Sequence, residues 1–79
     1  NVDYSKKAKR ALTLAQDIVR DIEAGAHVAG DRLAREEDML ARYEVARATL
    51  REALRFLELQ GVIHLQLGRG GGPVVARPQ

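Results

Sequence analysis

The stretch that most limits what this chain can fold into is 45–61, VARATLREALRFLELQG. Wound as a helix with about 3.6 residues per turn, it sets Leu50, Ala53, Leu54 and Leu57 along one stripe. Arg47, Arg51 and Arg55 recur every fourth position along a neighbouring stripe. The apolar stripe has to be covered by another element, so this helix belongs to a packed domain. The arginine row faces outward. Two uses of such a row compete. One is a solvated amphipathic face with Glu52 and Glu58 as pairing partners. The other is a recognition helix, because arginine bonds guanine edges bidentately and holds phosphates. The rest of the chain decides between them.

With 79 residues the chain makes one domain, near the size at which a single core supplies only about 3–5 kcal/mol of net stability. Three helices and a hairpin fit that length, whereas a large enclosed substrate pocket does not. A content of 46% hydrophobic and 30% charged residues is that of a soluble globular domain, and no apolar run approaches the ~20 residues of a membrane span. The opening NVDYSKKAKR has no hydrophobic region behind its basic residues and lacks the form of a signal peptide. The absence of cysteine excludes disulfides and thiolate metal sites and is compatible with a reducing cytoplasm. The net charge is only +2, but it is unevenly spread. Acids gather at 17–23 and 36–38, whereas 47–77 carries Arg47, Arg51, Arg55, Arg69 and Arg77 against Glu52 and Glu58. That distribution suits a nucleic-acid footprint in the C-terminal half.

Residues 1–5 are expected to form a flexible N-terminus in which Asp3 or Ser5 caps the helix that follows. From about 6 to 24, Leu12, Ala15, Ile18, Val19 and Ile22 recur at helical spacing, and Gly25 supplies a stop. Lys6, Lys7, Lys9 and Arg10 crowd the start of this helix, where its dipole disfavours cations, and they are taken as a solvated terminus rather than phosphate ligands. The segment 25–32, GAHVAGDR, is aperiodic and glycine-containing, a loop leading to a short extended piece at 31–33. His27 in that loop and His64 are the two histidines, too few and too far apart in sequence for a familiar metal site.

Residues 35–42 form a short second helix whose first turn, Glu36, Glu37 and Asp38, is acidic as the dipole favours, with Met39, Leu40 and Tyr43 facing inward. Residues 43–46 then connect it tightly to the arginine helix. A short helix, a four-residue turn and a longer helix make the helix-turn-helix outline. After Gly61 the period becomes two: in 62–67, VIHLQL, His64 and Gln66 share one face and Ile63, Leu65 and Leu67 the other. Gly68, Arg69, Gly70, Gly71, Gly72 and Pro73 form a turn, and Val74, Val75 and Ala76 return as a strand. The expected class is mainly α with a small antiparallel β-hairpin, a three-helix winged helix-turn-helix domain over 6–76, with 77–79 beginning a linker.

These residues carry a family resemblance. The run 30–75, GDRLAREEDMLARYEVARATLREALRFLELQGVIHLQLGRGGGPVV, resembles the N-terminal domain of GntR-family bacterial transcription regulators, and more narrowly is similar to the FadR-like branch, in which a tip such as GRGGG follows the recognition helix. The first helix fits too. The specific part is a combination: Val45, Arg47, Leu50, Arg51, Glu52, Ala53, Leu54, Leu57 and Gly61, followed by Gly68 and Gly70. The resemblance implies that Arg47, Ala48, Thr49 and Arg51 approach the major groove of double-stranded DNA and that Gly68, Arg69 and Gly70 reach the adjacent minor groove. It also implies a homodimer on a short pseudo-palindromic operator, a small-molecule effector bound by a C-terminal domain beyond these residues, no cofactor in this domain, and a repressor's role at the nucleoid in the bacterial cytoplasm. Four positions depart from the family pattern. Glu44 stands for the usual Gly and must either accept positive φ or shift the turn. Ala46 replaces Ser or Thr and Ala34 replaces Pro. Glu37 occupies the place of an arginine that touches DNA, which leaves Arg35 to supply that charge.

An enzyme is not expected. Ser5 is the sole serine, cysteine is absent, and the histidines belong to unrelated elements. GRGGGP is followed by Pro73, Val74 and Val75 rather than by a helix, so it lacks the setting of a phosphate-cradling loop. The rival is a winged helix that binds an acidic protein partner through Arg47, Arg51 and Arg69.

Overall fold

Three helices and two strands follow in the order α1 (Val2–Ala24), α2 (Glu36–Tyr43), α3 (Arg47–Leu59), β1 (Ile63–Gln66) and β2 (Gly72–Val75). The computed structural model of the chain describes residues 2–68 and 71–76. The mainly α class with one antiparallel hairpin is as expected. No described helix is long and apolar enough to cross a membrane.

Helix α1 starts at Val2 rather than near Lys6, so Asp3 and Ser5 lie within it instead of capping it. Residues 3–12 contain no glycine, proline or β-branched side chain to halt the helix. Its buried face is Ala11, Leu14, Ala15 and Ile18, with Val19 and Ile22 packed at the margin. Leu12, expected to face inward, is 44% exposed. It lies about 100° around the helix from Ala11, outside the stripe that 11, 14, 15, 18 and 22 share. That stripe packs mainly on α3, whose Leu50, Ala53, Leu54 and Leu57 are all buried, and Met39 of α2 and Ile63 of β1 complete the core.

All three helices end on a left-handed residue, and only one of these is glycine. At α1 the expected stop was Gly25, but the residue with positive φ is Ala26, at 53°. The N–H of Ala26 donates to Glu23 O (3.1 Å) and that of His27 to Ile22 O (3.2 Å), the paired bonds of a Schellman end. A Cβ on Gly25 would lie 2.9 Å from the tip of the His27 ring, a contact that a small turn of that side chain relieves. At α2, Glu44 takes φ 53° and ψ 50° and donates its N–H to Leu40 O, so the turn keeps its form and Glu44 absorbs the strain. Gly61 ends α3 at φ 79° without steric penalty. A non-glycine residue in this region is strained by about 1–2 kcal/mol, offset in part by the greater freedom of unfolded glycine. Ala26→Gly and Glu44→Gly are therefore each expected to stabilise the domain by about 0.5–1 kcal/mol. Urea unfolding checks this; a lowered midpoint would contradict it.

The hairpin pairs Ile63 with Val75, His64 with Val74, Leu65 with Pro73 and Gln66 with Gly72. Pro73, expected in the turn, lies inside β2. Its missing N–H costs no bond to β1, because Leu65 and Pro73 form a non-hydrogen-bonded pair in which Leu65 directs its own N–H outward to Glu58 Oε2 (3.1 Å). The other edge of β2 takes the extended piece around Arg32, which bridges Val74, with Leu33 N–H donating to Pro73 O (2.9 Å) and Val75 N–H to Asp31 O (2.8 Å). Leu67, expected on the apolar face, lies past the end of β1 and is 95% exposed. At the tip, Gly71 N–H donates to Gly68 O (2.9 Å), and a Cβ on Gly71 would fall 2.4 Å from Gln66 O, so only glycine fits.

Candidate nucleic-acid interface

The site is built around the corner between α2 and α3. Ala46, extended at φ −70° and ψ 151°, precedes α3 without a side-chain cap, and its carbonyl accepts the first helical bond from Leu50 N–H (3.1 Å). Among the described residues no side chain caps the start of α3, and the helix dipole makes that end mildly attractive to anions. Arg35, expected as the first residue of α2, instead stands just outside it, extended and exposed, with its carbonyl accepting from Met39 N–H.

The structure brings Arg47, Ala48 and Arg51 together on the exposed side of α3. The two guanidinium groups converge on one oxygen. Arg47 Nη1 donates to Glu36 Oε1, and Arg51 Nη2 lies 3.3 Å from the same atom. Both arginine side chains remain accessible, 54% and 64% exposed, whereas that of Glu36 is 31% exposed. Glu36 thus pairs with both arginines. Glu52 and Arg55 make no ion pair among the described residues, and Glu58 is engaged by Leu65. Thr49 departs from this face. Half-buried, it lines a groove of about 730 Å³ between α1 and the corner, together with Lys6, Lys9, Arg10 and Ala46. Gly68 sits at the hairpin tip with φ 89°. Arg69, Gly70 and the linker start at 77–79 lie outside the described residues.

One group that sequence reasoning missed fixes the corner. Tyr43 Oη donates to Asp21 Oδ2 (2.5 Å), Arg42 Nη2 lies 3.4 Å from the same oxygen, and the Arg42 guanidinium carbon stands 5.7 Å from the Tyr43 ring centre. Burial, then the hydrogen bond to Asp21 and its charge, push the Tyr43 hydroxyl up to about 12, so it stays a neutral donor near neutral pH. The end of α2 is thereby tied to α1, and the turn into α3 has a fixed origin. His27 is occupied with Asp31 at 3.6 Å, and among the described residues no three His, Asp or Glu side chains gather as a metal site would require.

A helix-turn-helix with a hairpin wing and a paired-arginine face on its third helix defines a winged helix-turn-helix domain. The profile of the family described as bacterial regulatory proteins, gntR family, matches residues 10–72, and the chain belongs to that family. It is 36% identical over 69 residues to the HTH-type transcriptional regulator TreR of Bacillus subtilis, covering 87% of this chain and 28% of TreR. It is 33% identical over 66 residues to the Exu regulon transcriptional regulator of Escherichia coli, covering 84% and 26%. Among solved structures it is similar to the possible transcriptional regulator YydK of Bacillus subtilis, with a TM-score of 0.79 and 30% identity over 89% of this chain and 30% of that one. It is also similar to a chain from the structure of mutant ORR3 in complex with the NTD of AraR, with a TM-score of 0.73 and 25% identity over 85% of this chain and 93% of that one. The chain spans little more than a quarter of the length of TreR and the Exu regulator.

Proposed function

We propose that this domain is the sequence-specific, double-stranded DNA-binding part of a bacterial transcription regulator, with α3 in the major groove and the hairpin tip at the adjacent minor groove. The observation that carries the reading is the accessible pair Arg47 and Arg51, one turn apart on α3 beside a helix-turn-helix corner, in a chain of the GntR family. In this reading the two arginines bond guanine edges and phosphate, while Ala48 meets a thymine methyl or permits close approach. Thr49, beside the basic end of α1, contacts backbone. Arg35 adds a phosphate contact ahead of α2. Gly68 and Gly70 let the tip approach, and Arg69 enters the narrow, negative minor groove. The GRGGG tip supports placement in the FadR-like branch. The whole regulator acts as a homodimer on a pseudo-palindromic operator, as a ligand-responsive repressor whose effector is held by a C-terminal domain, in the bacterial cytoplasm. Relatives named as transcriptional regulators support this role.

Salt titration of binding to random duplex DNA tests the reading. Contacts from Arg35, Arg47, Arg51 and Arg69, with Glu36 offsetting one of the four charges, give a log–log slope of about −2 to −3 per protomer. Weak binding with a flat salt response would favour the rival, a winged helix that docks on an acidic protein.

A further inference from the structure

We propose that Glu36 is a specificity-determining residue: its carboxylate holds Arg47 and Arg51 in a shared ion pair that suppresses indiscriminate phosphate binding and presents both guanidinium groups pre-ordered to the matching bases. This rests on the reading of α3 as the DNA-facing helix.

The three acids at the start of α2 look alike in sequence, and the helix dipole suffices to explain an acid at each of these positions. They do different things in the fold. Among the described residues Glu37 and Asp38 make no ion pair, whereas Glu36 reaches across to another helix and meets two cations with one oxygen. Its backbone is fixed, because Arg35 O accepts from Met39 N–H and the Met39 side chain is buried in the core. The carboxylate therefore reaches the arginines from an anchored stretch of backbone.

A guanidinium carries five N–H donors in a planar fork, and Glu36 engages Nη1 of Arg47 and Nη2 of Arg51. The remaining donors are free to meet a base edge without release of the pair. Phosphates differ in what they ask of the protein. Nonspecific binding is driven by net positive charge and by side chains free to find the nearest phosphate. Glu36 opposes both conditions, since it adds a negative charge inside the footprint and immobilises the two arms. For a matching site the same immobilisation is an advantage, because the ordering of two flexible side chains has already taken place in the free protein.

Glu36→Gln removes the charge and keeps the shape, and Glu37→Gln makes the same charge change one residue away without an ion pair to lose. Dissociation constants are measured for both variants and the parent chain on a duplex selected by the parent and on a scrambled duplex of equal length, alongside urea midpoints. Glu36→Gln is expected to bind the scrambled duplex several-fold more tightly and the selected one no better, so that the ratio of the two constants falls by about fivefold or more. Glu37→Gln is expected to shift both constants by a common factor and leave their ratio in place. The proposal is overturned if Glu36→Gln also shifts both by a common factor, or if it weakens both together with a lowered urea midpoint, which would make Glu36 a structural residue only. A parent chain that binds duplex DNA but does not discriminate between duplexes overturns the proposal alone; a parent that binds neither removes the DNA reading beneath it.

Discussion

Arg47→Ala and Arg51→Ala are each expected to weaken binding to a selected duplex by about 1–3 kcal/mol, a loss of about 5- to 150-fold. The size follows from what each truncation removes. A charge-assisted contact to base or phosphate disappears, and the Glu36 carboxylate loses one of its two cations beside a polyanion. Each single variant still leaves the other arginine to neutralise Glu36. The double variant leaves that carboxylate bare, so it is expected to lose more than the sum of the single losses, as groups that share one partner generally depart from additivity. Titration of folded variants checks this, and unchanged affinity in either single variant would remove that arginine from the interface.

The second large effect concerns stability. Leu50 is 0% exposed and sits in the cluster where α1, α2, α3 and β1 meet. Leu50→Ala is expected to destabilise by about 2–5 kcal/mol, since the rigid neighbours close the resulting void only in part. A single small core supplies about 3–5 kcal/mol in total, so most of that variant is expected to unfold near physiological temperature. Leu12→Ala is the matched control. Its side chain stands off the buried stripe, and its truncation is expected to shift stability by less than about 1 kcal/mol. Helical circular dichroism on heating separates the two. Equal losses would mean that α1 packs in the rotational setting that Leu12 suggests rather than the one through Ala11 and Leu14.

That contrast shows why some of the fold was legible in the sequence and some was not. In α3 the large residues and the buried stripe coincide, so Leu50, Leu54 and Leu57 declared the face. In α1 the alanines at 11 and 15 permit close approach to α3 and carry little hydrophobic signal of their own, and Leu12 misdirected the wheel. Glycine is the strongest local stop signal, yet the left-handed residue that ends α1 is Ala26, because the capping bonds close one residue later. The change of period after Gly61 announced the hairpin, but β2 begins at Gly72 because Pro73 faces a partner that asks nothing of it.

The candidate site divides in the same way. The spacing of Arg47 and Arg51 is local and was readable as one helix face. The convergence of both on Glu36 depends on how α2 crosses α3, which no local spacing encodes. The Tyr43 to Asp21 link spans 22 positions and joins helices whose relative setting only the packed core decides. Thr49, named from resemblance alone, turns its side chain toward the groove beside α1 rather than toward the arginines.

Selection from a pool of random duplexes tests most directly whether α3 selects DNA sequence through Arg47 and Arg51. The chain is expected to enrich one short pseudo-palindromic sequence, and the Arg47→Ala, Arg51→Ala double variant, folded by circular dichroism, is expected not to. A pool that stays random with the parent chain, or the same sequence enriched equally by the double variant, would contradict it.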